Sequence, residues 1–299
     1  MQLELNIKSS LSVKDLILLY LDLTKFRITI SNAFTCMVGY LMFSSSFTSL
    51  MFYAVLGTFL IASGSASLNQ YQEIEYDAIM KRTANRPMPS KKITSNHGLI
   101  VSISLAVIGY LVLYIGVNEI AAYLGVGALL LYNLVYTPMK RISVLAVFPG
   151  ALIGAIPPII GWVAAGGQVI DTQVLVLAFF LFFWQMPHFW LLVLLYDKDY
   201  IAAGYPTMTE KIGQMQLKRV TFVWIVNFAI STILFPIFSL VSSIYSIVII
   251  VVSCIYMIWG SKSLLQEEFD RKLVGKTFMK INIFVLIVLF TLIVEKLIK

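Results

Sequence analysis

Nine long apolar stretches dominate this chain, near residues 27–46, 50–69, 98–117, 120–138, 145–165, 173–196, 220–241, 244–261 and 280–297. Each is close to the roughly 20 apolar residues a helix needs to cross a bilayer. Lipid offers no partners to backbone N–H and C=O groups, and at this length only helices satisfy them internally. The chain is therefore expected to be all-α, a polytopic integral membrane protein of nine transmembrane helices. Only 12% of its 299 residues are charged, about half the share of a soluble domain. That dilution excludes a soluble enzyme, a disordered chain and a disulfide scaffold. Cys36 and Cys254 each sit inside an apolar stretch and are expected to be buried thiols. The opening residues, MQLELNIKSS, carry acids and no apolar run, so no cleavable leader is expected.

The charges that remain are sorted. If nine spans are threaded in order, 20 of the 22 Lys+Arg fall on one side and only Lys296 and Lys299 on the other. The positive-inside rule then puts the N-terminus in the cytoplasm and the C-terminus outside. The +7 net charge thus reports topology, and no nucleic-acid partner is expected, since the cations form no basic face. Twelve of the fifteen acids crowd the same side, all but Glu119, Asp171 and Glu295. Acids contribute little to topology, so chemistry on that face is a candidate cause.

Four polar runs interrupt this simple pattern. The second span leads into Asn69…Glu73…Asp77…Lys81-Arg82…Arg86-Pro87. If the helix continues, Asn69, Glu73 and Asp77 share one face over a rise of about 12 Å. That row is too long for one ion, and suits metal ions together with the diphosphate they neutralise. Mg²⁺ commonly binds one or two carboxylates plus substrate phosphates, and Arg82 and Arg86 could clamp phosphate oxygens. A solvated helix whose charges only pair is the alternative. A second acidic run, Tyr196-Asp197-Lys198-Asp199-Tyr200, ends the sixth span four helices later on the same side. This spacing hints at two similar helical halves, roughly 15–140 and 141–299. Residues two apart diverge by about 200° on a helix, so Asp197 and Asp199 cannot share a cavity unless the helix unwinds. Lys140 and Arg141 close the fourth span and are candidate anion anchors, with plain topology signals as the alternative. His188 lies within the sixth span beside Pro187, where freed carbonyls and a kink are expected. An ionisable group inside a span is a functional candidate, with a core histidine as the alternative. His97, at a loop end, is expected to be solvated. The run Pro149-Gly150…Gly154-Ala155-Ile156-Pro157-Pro158…Gly161 reads as close helix packing and cavity shape.

Taken in order, these motifs resemble the intramembrane aromatic prenyltransferases related to 4-hydroxybenzoate polyprenyltransferase, and within them the haem O synthase (protohaem IX farnesyltransferase) group. The likeness rests on Asn69…Glu73…Asp77…Met80-Lys81-Arg82-Thr83…Arg86-Pro87, Tyr136-Thr137-Pro138…Lys140-Arg141, the Gly-Ala…Pro-Pro…Gly run, and Trp184-Gln185…Pro187-His188-Phe189 followed by Lys198-Asp199-Tyr200…Ala203-Gly204…Pro206. It covers roughly residues 20–215. Phe26 departs from the frequent proline of a Thr-Lys-Pro-Arg run, Glu73 from the wider superfamily's aspartate, and the second acidic motif is reduced to Asp199 with Asp197 nearby.

The resemblance implies one prenyltransferase domain over 1–299, with helices around a central cavity, in the cell membrane and with its active site facing the cytoplasm. It implies transfer of the farnesyl group of farnesyl diphosphate to a vinyl group of haem b, giving haem O for terminal oxidases. Asn69, Glu73, Asp77 and Asp199 would be the catalytic residues and hold Mg²⁺. Arg82, Arg86, Lys140, Arg141 and Lys198 would bind the diphosphate, and His188 would contact the haem or its propionates. Expected partners are farnesyl diphosphate, haem b, the lipid bilayer and a downstream haem A synthase or oxidase assembly. Another acceptor, such as a quinone precursor, is the alternative within this chemistry, and the Trp-Gln…Pro-His-Phe run argues against it. A transporter would instead place ionisable groups near the midplane, whereas these carboxylates gather at one rim.

Overall fold

The computed structural model describes residues 12–298. Lys8, Lys299 and the segment expected to lack a leader lie outside the described residues. Among the described residues there are nine helices long and apolar enough to cross a membrane and no strand. The chain opens with α1 (Val13–Leu23), capped by Ser12 and Asp15 bonding each other's backbone N–H groups. Next come α2 (Phe26–Ser44), α3 (Ser49–Gln72) and a short α4 (Ile74–Ile79), then α5 (Ser95–Gly116) and α6 (Glu119–Leu130). The fourth span continues through a π-helical turn, Leu131–Tyr136, into α7 (Thr137–Met139). Then follow α8 (Val147–Ala164), α9 (Thr172–Ala202), α10 (Met208–Ser231) with α11 (Leu234–Ile237), α12 (Ile244–Ser261) and α13 (Arg271–Ile298).

Small residues let backbones approach where lipid gives no hydrophobic drive between helices. A Cβ at Gly161 would collide with the Cys36 carbonyl, and one at Gly39 with the Pro158 carbonyl, so α2 and α8 pack backbone to backbone. The glycine and proline run thus serves packing, as its composition implied. A phenylalanine cluster joins α9, α10, α11 and α13: the Phe180 ring lies 4.9 Å from Phe228 and 5.1 Å from Phe235, and Phe228 lies 5.1 Å from Phe284. Large apolar side chains such as Ile115, Val252 and Trp259 face outward, the inverse of a water-soluble surface and suited to lipid tails.

Three local departures from regular helix position the polar residues. α3 does not run on to Asp77: it stops at Glu73, whose φ −119° and ψ 18° are not helical, and the chain restarts as α4. The expected continuous i, i+4, i+8 face is therefore corrected to a broken one. Glu73 at the break is buried and bonds to Lys140 beyond α7 and to Tyr205 in the turn after α9. α9 passes through Pro187 with no non-helical dihedral, and unwinds at Tyr196 (φ −125°, ψ 22°) instead. Proline's fixed φ is itself helical, so the bend falls where the acidic run needs it. In the fourth span, Pro138 has no N–H to donate, and the Thr137 N–H bonds five residues back to Tyr132, a one-turn π-helix of the kind frequent at functional sites.

Candidate active site

The first and second acidic runs and the fourth-span cations meet at one end of the helix bundle. Asn69, Glu73 and Asp77 are 1%, 2% and 1% exposed, so this stretch is not a solvated helix, although its charges do pair. A buried carboxylate has to be paired or hydrogen-bonded, and each of these is. Lys140 Nζ lies 2.6 Å from Glu73 Oε2, Asn69 Nδ2 donates to the same oxygen at 2.9 Å, and the Tyr205 hydroxyl donates to Oε1 at 2.8 Å. Arg86 pairs with Asp77 at 2.7 Å. Burial on its own would raise the Glu73 carboxyl, but the charge and hydrogen bond of Lys140, then Lys25 and the Tyr205 hydroxyl, outweigh it and hold Glu73 below the usual carboxylate range. Burial, and then the Glu73 charge, push the Tyr205 hydroxyl well up.

The unwinding at Tyr196 separates the two aspartates. Asp197 accepts from the Thr209 hydroxyl, whereas Asp199 Oδ2 accepts from the Arg82 backbone N–H at 3.3 Å. Arg82 also stacks 4.9 Å over the Tyr196 ring, with Nη2 3.5 Å from the Tyr200 hydroxyl. Asp199 and Arg82 thus join the two motifs. Arg141 Nη2 donates to the Gln72 carbonyl at 2.5 Å and stacks 4.7 Å over Tyr76, while its buried Nε has no hydrogen-bond partner among the described residues. Lys198 is exposed and makes no hydrogen bond or ion pair with the described residues. His188 is half-buried in α9 and hydrogen-bonded to Asn282 at 3.0 Å, well away from the carboxylates along the helix. His97 is not simply solvated: its Nε2 lies 2.8 Å from the Tyr20 hydroxyl and ties α1 to α5.

Two residues of the cluster lay outside the motifs. Lys25 Nζ donates to Asn69 Oδ1 at 2.5 Å, from a left-handed backbone (φ 50°) at the start of α2. Burial, then the nearby Arg86 and Lys140 charges, hold its pKa well below the ordinary lysine value. The Thr-Lys-Phe-Arg run marked this position as unusual without giving it a contact. Tyr205 reaches Glu73 because Gly204, at φ +77°, turns the chain back after α9, a conformation glycine adopts without a Cβ penalty.

Asn69, Glu73, Asp77 and Asp199 supply hard oxygen donors of the type Mg²⁺ prefers. Among the described residues no three His, Cys, Asp or Glu side chains converge on one point. Glu73, Asp77 and Asp199 therefore do not form a closed metal cage, although their donor type suits an ion that takes much of its shell from phosphate oxygens. Lys140 and Arg86 neutralise the two carboxylates. Beside them lies a cleft of about 100 Å³ lined by Tyr136, Lys140, Val147, Phe189, Tyr200 and Tyr205 among others, a charged end leading onto aromatic walls.

Comparison with known proteins gives the same outline. The model of the UbiA prenyltransferase family matches residues 32–284. A protoheme IX farnesyltransferase of Nitratidesulfovibrio vulgaris (strain DP4) is 31% identical over 222 residues, covering 74% of this chain and 77% of the relative. One from Oleidesulfovibrio alaskensis is 29% identical over 277 residues, covering 93% and 96%. Among solved structures, a digeranylgeranylglyceryl phosphate synthase superposes with a TM-score of 0.76 at 20% identity, over 95% of this chain and 99% of that one. A UbiA homolog from Archaeoglobus fulgidus bound to GPP and Mg²⁺ gives 0.66 at 13% identity, over 92% and 99%; at such identities the likeness is one of fold. With the family model spanning residues 32–284, the chain belongs to the UbiA prenyltransferase family.

Proposed function

We propose that this protein transfers the farnesyl group of farnesyl diphosphate to a vinyl carbon of protohaem IX, forming haem O. The acceptor follows from the relatives: protoheme IX farnesyltransferases align over as much as 93% of the chain. The observation that carries the chemistry is the set of buried carboxylate–cation pairs, Glu73 with Lys140 and Asp77 with Arg86. Such pairs can exchange partners with a metal-bound diphosphate without exposing a bare charge.

Asn69, Glu73, Asp77 and Asp199 would hold Mg²⁺, which when bound supplies positive charge to the departing diphosphate. Lys140 and Arg86, released from Glu73 and Asp77, would take its outer oxygens, with Arg82 and Arg141 at the rim and Lys198 as an outer attractor. These cations act on charge that grows as the C1–O bond of the prenyl diphosphate breaks, the kind of electrostatic term that is usually largest in catalysis. The aromatic walls formed by Tyr136, Phe189 and Tyr200 would keep water from the allylic fragment until a vinyl carbon attacks C1. Water would then add to the cation left on the porphyrin side chain and release one proton to solvent, keeping the other in the hydroxyl of the hydroxyethylfarnesyl group. His188 would contact the haem. The cation count supports an active site at the cytoplasmic face of the cell membrane, and haem O would pass to a haem A synthase or to oxidase assembly.

An acceptor competition tests the proposal. Purified protein is given farnesyl diphosphate, Mg²⁺ and equal concentrations of protohaem and 4-hydroxybenzoate. Prenyl transfer to protohaem is expected. Transfer to the benzoate with unmodified haem would overturn the acceptor assignment.

A further inference from the structure

One helix, α1, precedes the spans and belongs to none of them. Its residues follow one another at about 100° around the axis, which sorts the side chains into three faces. Leu19, Tyr20 and Leu23 form the inner face: Leu23 is fully buried with Met88 and Ile93, and Leu19 and Tyr20 pack against that cluster. Val13, Ile17 and Leu21, each four positions apart, form a second face about 80° wide. Val13 is 76% and Ile17 55% exposed. Lys14, Asp15 and Asp22, all exposed, form the third within about 100°, with Leu18, 53% exposed, among them.

This helix is firmly attached to the bundle at the end that holds the acidic cluster. The last carbonyls of a helix have no partner within it, and here α3 supplies the donors. Gln70 Nε2 donates to the Asp22 and Leu23 carbonyls at 2.8 and 3.1 Å, and Ser67 Oγ to the Leu23 carbonyl at 3.2 Å. The Tyr20 hydroxyl meets His97 of α5 at 2.8 Å. The chain then turns at Lys25 (φ 50°), and the outward apolar residues of the first span, Phe26, Ile28 and Ile30, follow at once. On α5, Ile100 and Ile103 face outward in the same way, within two turns of His97. The exposed apolar face of α1 thus adjoins the lipid-facing belt of the spans.

A helix with one face on protein, one apolar and one charged is suited to lie in the membrane interface, its apolar face at the boundary of headgroups and acyl chains. Charge does not draw it there: Lys14 against Asp15 and Asp22 leaves α1 net negative, which disfavours anionic headgroups as its partner. We propose that α1 is an interfacial helix, seated by Val13, Ile17 and Leu21 among the acyl chains of the leaflet next to the acidic cluster, with Lys14, Asp15 and Asp22 turned to water. Lys25, two residues past its end, donates to Asn69 at 2.5 Å, so α1 ties the lipid surface to the polar cluster. The inference holds whichever prenyl acceptor the protein uses.

Full-length protein with Cys36 and Cys254 replaced by alanine is given one nitroxide label, at Ile17→Cys, Val13→Cys or Asp22→Cys, in phosphatidylcholine nanodiscs. Electron paramagnetic resonance power saturation compares access of oxygen, which concentrates in lipid, with access of a water-soluble nickel chelate. The Ile17 and Val13 labels should favour oxygen over nickel several-fold more than the Asp22 label does. Replacing a third of the lipid by phosphatidylglycerol should leave these ratios unchanged, and unfolding midpoints confirm that each labelled protein is folded. Equal nickel access at all three positions would put the helix in water and overturn the proposal. Labels at Ile17 and Val13 that are immobilised and shielded from both reagents would show a protein cover, from a second copy or another part of this chain, and overturn it too. Oxygen preference that appears only with phosphatidylglycerol would make headgroup charge the attraction and overturn the acyl-chain assignment.

Discussion

Replacing Lys140 by methionine tests the paired-charge site where its geometry is tightest. Lys140 Nζ is 2.6 Å from Glu73 Oε2, with the lysine side chain 23% exposed and the glutamate 2%. Removing one partner of a fully buried pair costs about 3–5 kcal/mol. Here Glu73 keeps its bonds from Asn69 and Tyr205, each contributing about 1 kcal/mol, and partial exposure of Lys140 weakens the pair. The expected loss is therefore about 1–3 kcal/mol at neutral pH. It carries a pH signature. Glu73 is held below its unfolded value near 4.5, so the stability it contributes is complete above that pH and fades as pH falls through the folded value. Without Lys140 the opposing effect of burial is less compensated, the Glu73 carboxyl rises, and the acid loss of stability moves to higher pH. Thermal unfolding in detergent between pH 4 and 8 reads both effects. Adding Glu73→Gln should recover most of the loss, because no buried charge is then left unpaired. A single variant as stable as the unaltered protein at every pH, with no coupling in the double variant, would refute the argument.

Asp77→Asn should lower turnover by roughly 10²-fold or more in protein that still folds, by analogy with losing one preorganised electrostatic group; near-normal steady-state rates would remove Asp77 from the proposed metal and diphosphate site. Tyr205→Phe, which deletes the 2.8 Å bond to Glu73, should cost about 0.5–1.5 kcal/mol in unfolding free energy, and an unchanged midpoint would show that bond to be absent in solution. Gly161→Ala should cost about 1–3 kcal/mol through overpacking against the Cys36 backbone, read as a lower midpoint; a neutral result would contradict the backbone contact of α2 with α8.

The spans were legible because lipid imposes one demand on each: enough apolar residues in helical form. Among the described residues all nine helices overlap the apolar runs, and the ends differ most at polar margins: the seventh span begins at Met208, the ninth at Arg271, and α9 extends to Ala202. The polar cluster at the rim was legible in part, since Asn69, Glu73, Asp77, Arg86, Lys140 and Asp199 carry chemistry unusual at a span end. Their pairing was not. Lys140 and Glu73 are 67 positions apart, and nothing local links them. The break at Glu73 has no glycine or proline to announce it, because tertiary bonds from Lys140 and Tyr205 override a sequence that would continue as helix. Asn282 stood in a region that read only as apolar helix, and its contact with His188 spans 94 positions. Lys25 and Tyr205 were hidden by the same cause: each owes its role to a turn, at φ 50° for Lys25 and φ +77° for Gly204.

The measurement that bears most directly on the central proposal follows one carbon. Purified protein is incubated with protohaem, Mg²⁺ and farnesyl diphosphate labelled with ¹³C at C1, and the extracted haem is analysed by mass and by NMR. The expected product is a haem heavier by one farnesyl group and one water-derived hydroxyl, with the labelled carbon bonded to a former vinyl carbon, formed only when a divalent metal is present. Unmodified haem, or label transferred at the same rate in excess chelator, would contradict it.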